Sequence, residues 1–137
     1  MTPAHLMQAI DTQLAHVWMV RAFLKHSEEA AEDDELAEVH RELYDYMLAL
    51  GAPLKENNAA DYLRMARKKL GRLKRARESF AQIQPEISQH TNFQMALLSL
   101  TAAVAEIVRL LEAGPEAAGP ETAGETSAAD ERKSSEP

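Results

Sequence analysis

The chain has 137 residues, with 22 acidic and 15 basic side chains, a net charge of −7 and no cysteine. That length suits one domain, and the missing cysteine excludes disulfides, thiolate zinc sites and cysteine nucleophiles. The acidic balance disfavours nonspecific attraction of the whole chain to nucleic acid or acidic lipid.

Ala, Leu, Glu and Arg are abundant, aromatics are few, and runs of Val, Ile and Thr are missing. Such a composition predicts an all-helical domain. A cysteine-free chain suits a reducing cytoplasm, which is the expected location. The opening MTPAHLMQAIDTQ has no basic segment leading into a long apolar run, so no signal peptide is expected.

In chain order, Pro3 to about Ala31 reads as a first helix, with Thr2 as N-cap and Pro3 at the first helical position. At about 100° per residue, Leu6, Ile10, Leu14, Val17 and Leu24 share one arc, with Trp18 at its edge. Arg21 falls on the same arc. It is expected to snorkel outward or to meet a carboxylate; the alternative is a polar group held inside the bundle to bind a ligand. The acidic turn EEAAEDDE follows, and Asp33 or Asp34 caps a second helix with the seam Leu36, Val39, Leu43, Met47 and Leu50. Tyr44 and Tyr46 flank that seam. Gly51 is the expected left-handed stop, and Pro53 is expected to prevent continuation.

Asn57 or Asn58 caps a third helix, with Asp61 in its first turn. Its seam is Leu63, Ala66, Leu70, Leu73 and Phe80, with Gly71 on the solvent side. It should end near Gln84, because Pro85 cannot donate to the preceding turn. Ser88 or Thr91 caps the fourth helix. There His90, Phe93, Leu97, Leu100, Val104, Ile107 and Leu111 recur at alternating spacings of three and four. The opposite side is nearly as apolar, which marks a central or interface helix. Its uncharged run carries Gln94, Ser99 and Thr101 and is too short and interrupted to span a bilayer, so no membrane partner is expected.

Four seams joined by short turns predict an antiparallel up-down-up-down four-helix bundle over residues 1–113. The rival is a three-helix core in which the first two seams pack differently. Residues 114–137, AGPE-like repeats without a large apolar side chain, are expected to be a disordered acidic tail.

Two constellations bear on chemistry. The third helix carries Arg64, Arg67, Lys68, Lys69, Arg72, Lys74, Arg75 and Arg77. Arg64, Lys68 and Arg75 line the face opposite its seam, with Arg67 and Arg72 on the shoulders. These five form a candidate site for an anionic partner: RNA, nucleotide or acidic protein. No aromatics interleave them, which weakens stacking of single strands. An internal partner is also available, because residues 28–45 hold nine acids and one Arg. The five histidines include no Glu-x-x-His, so a carboxylate-bridged metal site is disfavoured and neither metal nor cofactor is expected.

The second constellation is Arg21 and His26 in RAFLKH, which resembles the Arg-x4-His pattern of HEPN-type helical ribonucleases. In that family the two residues of a dimer contribute to RNA cleavage. Here Ala22 follows the arginine where a polar residue is common, and the pattern lies within the first helix rather than near the last ones. On a regular helix the two side chains point about 140° apart. No Gly-rich phosphate loop and no Gly-x-Ser-x-Gly elbow occurs.

The expected function is therefore that of a small helical interaction or assembly module without an evident catalytic site. It is expected to be a homo-oligomer through Met95, Leu98, Ala102 and Ala105, which lie on the side of the fourth helix away from its seam. The alternatives are an anionic-ligand or RNA binder using the third helix, and an HEPN-like ribonuclease.

Overall fold

The computed structural model describes residues 1–114, and these are all-helical, with six helices and no strand. The tail expected over 114–137 lies outside the described residues, except for Gly114.

Helix α1 spans Pro3–Lys25, and the Thr2 hydroxyl accepts from the His5 N–H at 3.1 Å. It stops short of the expected Ala31. Ser27 is the cause: its hydroxyl donates to the Leu24 carbonyl at 2.7 Å and accepts from the Ala30 N–H at 3.1 Å. One side chain thus ties off α1 and caps the short α2, Glu28–Glu32. Asp33 then caps α3, Asp34–Lys55, through the Leu36 N–H.

Gly51 and Pro53 do not end α3, contrary to the sequence expectation. Both lie inside it. Pro53 is buried near the helix end, where a fixed φ is compatible with helix and only one backbone bond is forgone. The left-handed stop falls instead at Asn57, with φ 56°. There the Asn58 N–H reaches the Pro53 carbonyl at 2.8 Å and the Asn57 N–H reaches Leu54 at 3.0 Å. Asparagine tolerates this conformation better than most residues. The Asn58 side chain then caps α4 by accepting from the Asp61 N–H.

The expected third helix is two helices, α4 (Ala59–Lys68) and α5 (Leu70–Ile87), broken at Lys69. α5 runs past Gln84 and contains Pro85. Gln84 is buried and its side-chain amide donates to the Ser88 carbonyl at 2.8 Å, which fastens the end of the helix beyond the proline. The cap of α6, Thr91–Ala113, is neither Ser88 nor Thr91. It is His90, whose Nδ1 accepts from the Asn92 N–H at 3.0 Å. His90 is accordingly exposed, not the head of the buried seam.

The inner faces follow the sequence periodicity. Leu6, Ile10, Leu14, Val17 and Leu24 of α1 are buried, as are Leu36, Val39, Leu43 and Leu50 of α3. Leu63, Ala66, Leu73 and Phe80 meet Phe93, Leu100, Val104, Ile107 and Leu111 in the same core. Full burial of each large aliphatic side chain contributes roughly 1.5–3 kcal/mol, which offsets the entropy of ordering the helices. Tyr46, expected at the margin, is buried instead.

Helix α1 packs on α3 and α6, and α5 packs on the same two helices, while α4 lies against α3 and α1. α1 and α6 run in opposite directions. Phe23, near the end of α1, meets Phe93 at the start of α6 edge-on, with ring centroids 5.0 Å apart. At the other end Gly114 is buried so closely against Leu6 that a Cβ there would overlap the leucine. At 23 residues, with a mean hydropathy of 1.6 over its most apolar window, α6 is long and apolar enough to cross a bilayer, contrary to the sequence expectation. Its inner side chains, however, pack in the core with α1 and α5.

Candidate interaction surfaces

The five residues of the predicted basic site differ in exposure and in partners. Arg64 is exposed but pairs with Asp61 on its own helix, at 2.5 Å. Arg67 is half-buried, and its guanidinium donates to the Leu111 carbonyl at 3.0 Å. That carbonyl belongs to the last turn of α6, where helix carbonyls lack partners within the helix and a cation is favoured. Arg67 thus holds the end of α6 to α4. Lys68, Arg72 and Arg75 are exposed, and no ion pair forms at them among the described residues. The spacing of the cations was legible in the sequence; Arg67's use as a cap was not, because it depends on a carbonyl 44 residues away.

Arg72 and Arg75 face the acids of α3 across a groove of about 500 Å³. Glu35, Glu38 and Glu42 form the α3 side, and Val39, Ala76 and Ile83 supply its apolar lining. The acidic partner that the sequence makes available is not taken up in ion pairs: among the described residues none joins α3 to α5. Glu38 pairs with Arg41 on its own helix at 3.1 Å, and that bond holds its carboxyl below the usual range. Glu42 behaves oppositely. Burial, then the neighbouring Glu38, push its carboxyl up, with Arg72 only partly opposing them. Its Oε1 is closed off from solvent, and when protonated the Glu42 carboxyl hydrogen-bonds to Glu38.

Arg21 neither reaches a carboxylate nor enters the core. Its guanidinium lies 4.7 Å from the ring centroid of Trp18 on α1 and 4.6 Å from that of Tyr44 on α3. Flat, weakly hydrated guanidinium suits this position between two π faces. Nearby His40 is held below its usual range by burial first, then by the charges of Arg41, Arg21 and Lys25. His26 lies elsewhere. It is the C-cap of α1, exposed, with Nδ1 at 2.8 Å from the Ala22 carbonyl, so the ring carries its proton on Nδ1. No hydrogen bond or ion pair connects Arg21 with His26, and the structure does not bring the two together. Among the described residues no group of three or more His, Asp or Glu is placed to hold a metal ion.

The outer face of α6 carries exposed apolar side chains. Met95 is 50% exposed and Leu98 is 61% exposed, and Ala102 and Ala105 are exposed beside them. The face ends at the Glu106–Arg109 ion pair, one turn further on. All four residues expected at an oligomer contact therefore lie open along one helix. Trp18, Met19 and Leu48 are further exposed apolar side chains on α1 and α3.

No protein-family model, curated protein or solved structure matches this chain.

Proposed function

We propose that the chain is an assembly module, an antiparallel up-down-up-down four-helix bundle with α1, α3, α4–α5 and α6 as its rods. It pairs with a second copy through the outer face of α6, in the cytoplasm. The supporting observation is the exposure of Met95 and Leu98 on a helix side that carries no charge before Glu106. An outward helix face in contact with water normally carries charge. A two-fold contact would cover each of these side chains twice, and Ala102 and Ala105 would let the two backbones approach closely. Burial of a leucine or methionine contributes roughly 1.5–3 kcal/mol.

Light scattering on the purified chain and on Leu98→Glu tests this reading. A dimer that the substitution converts to monomer is the expected result, since a carboxylate buried at a symmetric contact is costly. A wild-type monomer at tens of micromolar, or a dimer indifferent to Leu98→Glu, would overturn it.

A second reading, an anionic partner such as RNA on α4–α5, draws support from Lys68, Arg72 and Arg75, which have no ion pair among the described residues. It requires that Lys68→Gln with Arg75→Gln weaken binding of a single-stranded RNA and flatten its salt dependence.

A further inference from the structure

We propose that the acidic segment 115–137, which lies outside the described residues, docks on the outward cations of α4–α5 in the same chain. Charge, exit point and reach together name this occupant. The segment holds six acids and two bases, so it carries more than half of the net charge of −7. Glu116, Glu121 and Glu125 precede both bases. No large apolar side chain occurs in it, so charge rather than burial would hold it in place.

The segment leaves the bundle beside the cations. Gly114 packs between Leu6, near the start of α1, and Arg67 of α4, where an added Cβ would lie 3.2 Å from Arg67 Nη2. Lys68 follows Arg67 and is exposed, and Lys74 and Arg75 are exposed beyond the break at Lys69. None of these three has an ion pair among the described residues. Arg75 also faces the acids of α3, whereas Lys68 and Lys74 do not line that groove. From Arg67 to Arg75 the helices rise about 12 Å, at about 1.5 Å per residue. On an extended chain Glu116 and Glu121 reach about 7 and 23 Å from Gly114, so the acids cover this stretch with slack. The other way out, over α1, offers no such partner: residues 8–16 include an aspartate and no Lys or Arg. An exposed ion pair is weak alone. Tethering at millimolar effective concentration lets several such pairs hold the segment down.

The chain has no cysteine, so Thr122→Cys takes a single nitroxide label without altering a described residue. Amide relaxation in the isotope-labelled full chain then reads where the segment lies. Residues 68–75 and 8–16 begin on either side of Gly114. At low salt the amides of 68–75 are expected to broaden more than those of 8–16. The excess should be lost at about 1 M sodium chloride, where the Debye length is about 3 Å. It should also be lost when Glu116→Gln, Glu121→Gln and Glu125→Gln are combined, changes that leave the packed helices untouched. Equal broadening of the two stretches at low salt overturns the proposal. So does an excess at 68–75 that survives both salt and the glutamines. In a mixture of isotope-labelled chains with separate nitroxide-labelled chains, no excess is expected. Undiminished broadening of 68–75 there would put the segment on a second copy and overturn the contact within one chain.

Discussion

The hydroxyl of Tyr46 on α3 donates to the backbone carbonyl of Ala66 on α4 at 2.9 Å. Both residues are buried. Ala66 lies in the last turn of α4, where the backbone ladder is interrupted at Lys69. There the Lys69 N–H returns to Met65 and the Arg72 N–H to Lys69. The tyrosine thus satisfies a carbonyl left by the break between α4 and α5, and burial holds the phenol well above its usual pKa range. Tyr46→Phe keeps the ring and removes the donor. The expected loss is about 1–3 kcal/mol, the cost of a buried acceptor left unsatisfied. Urea unfolding measures it, and an unchanged midpoint would show that another donor takes over.

Gly51→Ala separates the sequence expectation from the structure. Were Gly51 a left-handed stop, alanine would be strained there and the protein would lose stability. In the structure it is helical, exposed, and nothing lies within 4 Å of an added Cβ. Alanine should therefore stabilise the fold by about 0.5–1 kcal/mol. Thermal melts of the two proteins give the sign directly.

Gly114→Ala should do the reverse. Its Cβ would overlap Leu6 Cδ2 and lie 3.2 Å from Arg67 Nη2. Leu6 is 1% exposed and has little space to yield. Forcing a methyl into a packed site costs about 1–3 kcal/mol. A loss of that size by chemical denaturation would show that the packed unit extends through Gly114, whereas a chain cut after Gly114 should melt within a few degrees of the full length.

Glu42 makes stability depend on pH. Its folded-state pKa is raised above the ordinary 4.5. A raised pKa means that its stabilising contribution is fully present below 4.5 and is lost as pH rises through the folded value. Glu42→Gln should therefore stabilise the protein at neutral pH, by less than about 1 kcal/mol for so partly exposed a group. That gain should shrink as pH falls toward 4.5. A gain constant over this window would remove Glu42 as its source.

The helical class and most of the core were legible because each inner face repeats at helical spacing. Leu6 to Leu24 and Phe93 to Leu111 needed no knowledge of their neighbours. What local pattern could not show were features set by distant groups. Tyr46 looks marginal until α4 brings it a carbonyl, and Arg67 looks like surface charge until Leu111 arrives. Prolines 53 and 85 look like terminators, yet near a helix end they remove little. The open α6 face was visible as missing charge, while the groove depends on which faces of α3 and α5 meet.

Trp18 is the chain's one tryptophan. Its ring shares the Arg21 guanidinium with Tyr44 of the adjacent helix. Its emission is therefore a built-in reporter of α1 against α3, distinct from total helix content. If α1 swings away while remaining helical, fluorescence changes and far-ultraviolet circular dichroism does not. Partial opening and global unfolding then separate as two signals in an unlabelled, unmodified chain.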